Sequence, residues 1–287
     1  LLVRKNFIKK IILSNKKNMN KKNLFISNLA WDHSDFIKIS KLLKFYKFKG
    51  LDLAPIKLNE NWSLAKKQTY RFKKILDKSK LKVNAIQGIF FNTNFNLFNL
   101  NIENKKKLLN HIKKILQISR IYNCNKIIIG SSNFRRKGKI SKKKANLIFV
   151  NFFKEISSLF KKEKIFICFE TIPKQYGEDY LYKIDTLVKL IKKINSPWLK
   201  INFDSSLFHF RKFKKSIFLK NKKYINNIQI SEKGFHYLQK PSNNNIQFCN
   251  LLKKDKSIKN VSLEIISKKT SLRSLSISLE NFKNILN

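Results

Sequence analysis

Three short, largely apolar runs in the sequence each stop on a carboxylate: Ile165 to Phe169 on Glu170, Leu199 to Phe203 on Asp204, and Val261 to Leu263 on Glu264. A bare carboxylate at the end of a buried strand is costly to desolvate unless a cation, a partner or a substrate compensates it. Three of them converging would offer hard oxygen donors to a divalent cation, or a pair of groups to take up and return a proton. Taken singly, each could equally cap a helix or pair with one of the many lysines. Convergence requires their strands to lie side by side in one sheet.

The chain supplies the elements for such a sheet. Eight strand-like runs are centred near Phe25, Leu53, Ile86, Ile128, Ile167, Ile201, Ile228 and Leu263, at intervals of about 25 to 42 residues. Between them lie segments of helical period: Phe36, Ile39, Leu42, Leu43 and Tyr46; Leu108, Leu109, Ile112, Ile115 and Leu116; Leu181, Ile184, Leu187, Val188 and Ile191. Strand–helix alternation builds a parallel sheet, open or closed. An open nucleotide-binding sheet would carry a glycine fingerprint after its first strand, and Ser27 to Asp32 contains no glycine. Eight units in 287 residues fit an α/β fold of the eight-stranded (β/α)8 TIM-barrel type, whose active site lies at the carboxyl ends of the strands. Glu170, Asp204 and Glu264 fall at those ends.

Several stretches also match a known family in order. They are Ala30-Trp31-Asp32, Gly50 to Pro55, Gly130-Ser131-Ser132 with Arg135, Glu170 with Tyr176-Gly177, Phe203-Asp204-Ser205, Ile230-Ser231-Glu232 and Val261 to Glu264. On these the chain resembles the sugar phosphate isomerase/epimerase family, the barrels related to xylose isomerase, over about residues 23 to 286. The resemblance implies one divalent cation (Mn2+, Mg2+ or Co2+) and a sugar or sugar phosphate as the small-molecule partner. Its metal ligands are a Glu, an Asp, a His and a Glu after strands five to eight. Glu170, Asp204 and Glu264 match three of these, and the family histidine falls on Gln229.

A glutamine carbonyl is a neutral, hard oxygen, suited to magnesium, calcium or manganese and no match for imidazole toward zinc or cobalt. Gln229 is therefore expected either as a fourth ligand or as a hydrogen-bond partner of a neighbouring carboxylate. The implied reaction is isomerisation or epimerisation by proton abstraction next to a carbonyl, with Glu170 and Glu264 as the acid/base pair. Arg135 is the candidate to hold a phosphate or sugar oxygen, because guanidinium binds oxyanions in a two-pronged way. Trp31 and Tyr176 are candidate walls against a sugar ring. A catalytically silent sugar-phosphate-binding barrel stays open because of Gln229.

The formal charge of +46, with 63 Lys and Arg against 17 Asp and Glu, suits nucleic acid at first sight. The basic residues are almost all lysine, spread around nearly every helix, in a chain crowded with Asn, Ile and Phe. Coding bias toward AT-rich codons accounts for that pattern, and no specific nucleic-acid partner is expected. An endonuclease IV-like repair enzyme shares the barrel but depends on a histidine-rich three-metal site, and the chain has 4 histidines. His111 is expected on a helix flank; His33, His209 and His236 follow strands one, six and seven and could face the rim.

Residues 1 to 22 lack acidic groups and read as a basic N-terminal extension, expected to be disordered or to precede a true start at Met19, with the barrel spanning 23 to 287. No apolar run is long enough to cross a bilayer. Cys124, Cys168 and Cys249 sit in apolar surroundings and read as buried thiols of a cytoplasmic protein. A homo-oligomer is compatible with such a barrel.

Overall fold

The computed structural model describes residues 21–58, 62 and 66–287. The expected 1–22 extension and start at Met19 fall almost wholly outside these residues. Lys22 is within them and is buried, its ammonium donating to the carbonyls of Asp255 (2.7 Å) and Ile258 (2.8 Å).

Eight strands pair in chain order and close into a parallel barrel: β1 (Asn23–Ser27), β2 (Gly50–Leu53), β3 (Lys82–Ile86), β4 (Lys126–Ile129), β5 (Phe166–Glu170), β6 (Leu199–Asp204), β7 (Ile225–Ser231) and β8 (Asn260–Glu264). Among the described residues eight α-helices follow the strands: α1 (Phe36–Phe45), α2 (Lys66–Lys78), α3 (Ile102–Ile121), α4 (Lys142–Glu163), α5 (Ile184–Ile194), α6 (Lys215–Asn221), α7 (Asn243–Lys254) and α8 (Leu272–Leu286). The fold is the (β/α)8 barrel that the alternation predicts. Asn101, Ser141 and Ser271 cap α3, α4 and α8 with their side-chain oxygens. The helical segment predicted from Leu181 begins as α5 only at Ile184, because Glu178 takes the Tyr180 and Leu181 amide hydrogens, both at 3.0 Å.

Strand alternation sends one set of side chains outward and the other into the lumen. Outward residues such as Leu51, Ile129, Phe169, Phe203, Ile230 and Leu263 join the inward faces of the helices in one continuous core. Each fully buried side chain of this size contributes about 1.5–3 kcal/mol through removal from water. At Gly50 a Cβ would run into the Lys82 carbonyl on the neighbouring strand, so close β2–β3 contact requires glycine there.

The lumen is polar through much of its depth. Lys126 donates to the side-chain carbonyls of Asn84 (2.7 Å) and Asn227 (3.0 Å), Asn84 to Asp52 (2.7 Å), and Asn227 to Asn202 (2.9 Å). A small apolar layer of Ala85, Ile128 and Cys168 adjoins it. These amides connect the lumen to the residues at the carboxyl end.

Candidate functional site

The closing of the barrel brings the ends of β5, β6 and β8 around one point. One carboxylate oxygen each from Glu170, Asp204 and Glu264 lies within 4.8 Å of the others, and all three residues are buried. Parallel register pairs Glu170 with Asn202, Asp204 with Gln229, and Ser231 with Glu264, so the three carboxyl groups share the upper rim. Gly130 at the end of β4 gives Glu170 its room, since a Cβ there would occupy the Glu170 carboxylate.

Burial pushes all three carboxyl groups upward in pKa, and mutual repulsion adds to the effect on Glu170 and Glu264. Glu170 is raised from its ordinary 4.5 to about 8, first by burial and then by the charge of Asp204. Asp204 accepts through Oδ1 from the Ser206 amide (2.5 Å) and the Ser231 hydroxyl (2.7 Å). Its Oδ2 is buried with no hydrogen-bond partner. A buried carboxylate oxygen left free beside two other carboxylates is unfavourable without a cation. The donor set therefore fits a hard divalent cation.

Gln229 lies just beneath. Its carbonyl oxygen accepts from Asn202 (2.5 Å), while its amide nitrogen donates to Gln87 (2.8 Å) and Asp52 (3.2 Å). Asn202 also reaches Glu170 at 3.3 Å. The Gln229 amide is thus engaged in the lumen network, and through Asn202 it steadies Glu170.

A cavity of about 220 Å3 opens over the carboxylates, lined by Glu170, Glu264, Gln87, Tyr176 and the Gly130-Ser131-Ser132 turn among others. Tyr176 is on its wall; its hydroxyl bonds His209 Nδ1 (2.9 Å) and accepts from the Gly234 amide (2.9 Å). The structure puts Trp31 and Arg135 elsewhere. Trp31 is buried in the core against Phe36, because the chain after β1 turns its indole toward the helices. Arg135 is fully buried, ion-paired with Glu178 at 2.7 Å and bonded to the Ile129 carbonyl at 3.0 Å. Its Nη2 has no partner, and the residue does not line the cavity.

Among the described residues no histidine joins the carboxylate group. His209 has both ring nitrogens committed, to Tyr176 and, through Nε2, to the Ser231 carbonyl at 2.9 Å. His111, expected on a helix flank, is instead buried, bonded to the Ile89 carbonyl (2.6 Å) and packed by Trp62, Phe90 and Phe95. The histidine-rich three-metal arrangement of a repair nuclease is not formed by the described residues.

Sequence reading missed Asp52, Gln87, Asn202, Phe235 and the Arg135–Glu178 pair. A signal existed for two of them: Asp52 and Asn202 alternate with apolar neighbours, Leu51 and Leu53, Ile201 and Phe203, and so had to face the lumen. No such periodicity marks the loop residue Phe235. The three cysteines are free and buried, and burial pushes the thiols of Cys124 and Cys168 up to about 12, which keeps them inert. No helix among the described residues is long and apolar enough to cross a membrane.

The sequence profile of the family described as "Xylose isomerase-like TIM barrel" matches residues 41–254. No curated protein matches the chain. Among solved structures, the apo form of 3-keto-D-glucoside 4-epimerase from E. coli aligns with 92% of this chain and 100% of its own, at 12% identity and a TM-score of 0.70. D-psicose 3-epimerase from Clostridium cellulolyticum H10, solved with D-tagatose, aligns with 92% of this chain and 99% of its own, at 11% identity and a TM-score of 0.73. The IolI protein with a binding zinc atom aligns with 92% and 98%, at 14% identity and a TM-score of 0.70. Identities this low carry the fold and leave the activity to the site itself. With the profile match extending over well more than half of its length, the chain belongs to the xylose isomerase-like TIM barrel family.

Proposed function

We propose that the protein is a divalent-metal-dependent isomerase or epimerase of a sugar or sugar phosphate. The observation that carries this reading is the meeting of Glu170, Asp204 and Glu264 at the carboxyl end of the barrel, with Asp204 Oδ2 buried and unpartnered. Glu170, Asp204 and Glu264 would hold the cation, with hard-donor preference for Mn2+ or Mg2+ over Co2+. Gln229 would join them only by giving up its bond from Asn202. When bound, the cation would polarise adjacent substrate oxygens and acidify the intervening C–H.

Glu170 and Glu264 would then act as the acid/base pair, one taking the proton from carbon and the other returning it at the neighbouring carbon or on the opposite face. In the metal-free site burial favours the neutral carboxyl in each. Asp204, tied to Ser206 and Ser231, stays fixed and serves as a ligand. The Ser131-Ser132 turn and Gln87 offer neutral hydrogen-bonding groups to sugar hydroxyls. The zinc atom of the IolI protein and the D-tagatose of D-psicose 3-epimerase support the class of chemistry without naming this chain's substrate.

Calorimetric titration of Mn2+ and Mg2+ into the metal-stripped protein tests this reading. One-to-one binding is expected, lost or strongly weakened in Glu264→Ala, together with loss of turnover in that variant while its melting transition persists. Unchanged metal affinity in Glu264→Ala would remove that residue from the site, and no binding to the parent protein would sink the metal-dependent reading.

A further inference from the structure

After β7 the chain passes through two consecutive left-handed residues, Gly234 (φ 76°) and Phe235 (φ 57°). Glycine adopts this conformation freely; for a bulky aromatic residue it is strained and persists only where the surroundings impose it. Here they do. The Phe235 amide donates to the Glu232 carbonyl (2.7 Å), its carbonyl accepts from the Ile266 amide (2.9 Å), and the Gly234 amide is held by the Tyr176 hydroxyl (2.9 Å). The result is a phenyl ring on the wall of the cavity, its centroid 5.3 Å from Tyr176 and 5.8 Å from His209.

The rest of that wall is mainly apolar, with Leu29, Phe90, Phe91 and Ile266 prominent. Among the described residues lining the cavity none is Lys, Arg or His, in a chain with 63 Lys and Arg. The basic groups of the barrel interior lie outside this lining: Arg135, its Nη2 without a partner, is ion-paired with Glu178, His209 is bonded to Tyr176 and Ser231, and Lys126 to Asn84 and Asn227. The charged side chains that do line it, Glu170 and Glu264, are acidic and offer nothing to an anion. A phosphate dianion would thus enter a cavity with no guanidinium or ammonium among its described lining to receive it. The cavity, at about 220 Å3, is also smaller than the roughly 300 Å3 at which pockets for larger ligands begin.

We infer that the pocket takes an uncharged, single-ring-sized sugar with an apolar face, such as a deoxy or methylated carbon provides, and that Phe235 sets this preference. The inference rests on the isomerase/epimerase reading for the kind of substrate, while the preference against charge stands on the lining alone. Phe235 is a specificity residue in this account and takes no part in proton transfer.

The test is calorimetric binding of D-fructose, 6-deoxy-D-fructose and D-fructose 6-phosphate to one preparation, with and without Mn2+, after Mn2+ titration of that preparation. The deoxy sugar is expected to bind at least as well as D-fructose, and the phosphate weaker by roughly tenfold or more, about 1.4 kcal/mol. Phe235→Arg is expected to erase the discrimination against the phosphate. Should that variant fail to melt cooperatively, Phe235→Asn, a residue that tolerates left-handed backbone, is expected to lose the preference for the deoxy sugar. Phosphate binding as tight as that of D-fructose, no binding by any of the three, or unaltered selectivity in the folded variant would overturn the inference. Failure of Mn2+ to bind would instead remove the metal-dependent reading, with the order of the three sugars on the metal-free protein still deciding the charge preference.

Discussion

Between the strands and the helices, Phe149, Phe153, Phe203, Phe218, Phe248 and Phe282 pack with isoleucine and leucine into an apolar layer; inside the ring of strands, Asp52, Asn84, Lys126, Asn202, Asn227 and Gln229 hold one another by hydrogen bonds. Many barrels of this type fill the lumen with branched aliphatic side chains instead. The two regions are stabilised differently. The outer layer gains from apolar area, which is non-directional and needs only matching volume. The lumen gains only when each donor meets an acceptor, so its parts stand or fall together. That directional interior has a use at the rim, where Asn202 joins Gln229 to Glu170 and fixes a carboxyl group that packing alone would leave free to rotate.

The contrast can be broken first in the outer layer. Phe203 is fully buried between Phe208, Phe218 and Phe248, and Phe203→Ala is expected to cost about 3–5 kcal/mol in urea unfolding through lost transfer energy and the cavity left behind. A loss under about 1 kcal/mol would mean that the layer collapses around the gap and lacks the tight packing assigned to it.

In the lumen, Lys126→Met keeps most of the side-chain volume but removes the charged donor from the Asn84 and Asn227 carbonyls, leaving them only the longer bonds from Asn260 (3.2 Å) and Asn84 (3.1 Å), and leaves Asp52 without its nearby positive charge. The expected cost is about 1.5–3 kcal/mol, the contribution of hydrogen bonds made by a charged donor. Adding Asn84→Leu to Lys126→Met should then cost less than the two single changes combined, and strict additivity would show that the amides do not act as a network.

A further effect concerns the rim in the metal-stripped protein. Burial raises the Glu170 pKa from its ordinary 4.5 to about 8, and Glu264 is also raised, first by burial and then by Glu170. A carboxyl group whose folded pKa lies above its unfolded value contributes stability that is complete below the unfolded pKa and is lost as pH rises through the folded one. The melting temperature should therefore fall between about pH 5 and pH 8, by about 2–4 °C for each kcal/mol lost in a chain of this size. Saturating Mn2+ should reduce that slope, since a bound cation favours the ionised carboxylates. A melting temperature that rises with pH over this window in the metal-free protein would contradict the burial of the three acids together.

The sequence carried the barrel because its signals are local. Strand-sized runs alternating with helical periods, and the absence of a glycine fingerprint after β1, can be read along the chain without knowing which residues meet. Glu170, Asp204 and Glu264 were visible as well, since each ends an apolar run where solvation would otherwise be lost. Tyr176, on a loop, was legible only as a candidate, and the same reasoning put Trp31 and Arg135 at the site, although one is a core residue and the other an ion-pair partner of Glu178. Nothing local distinguishes a guanidinium facing the cavity from one turned behind the strand end.

The sequence by itself determined the order of strands and helices, the three carboxylates at strand ends and the glutamine at the seventh, because residue type and spacing depend on the chain alone. Only closure of the barrel decided that Gln229 gives its carbonyl to Asn202, that Arg135 is spent on Glu178, and that a strained Phe235 faces the cavity. Each of those outcomes is a competition among partners far apart in sequence, and the winner is set by distance in the folded ring of strands.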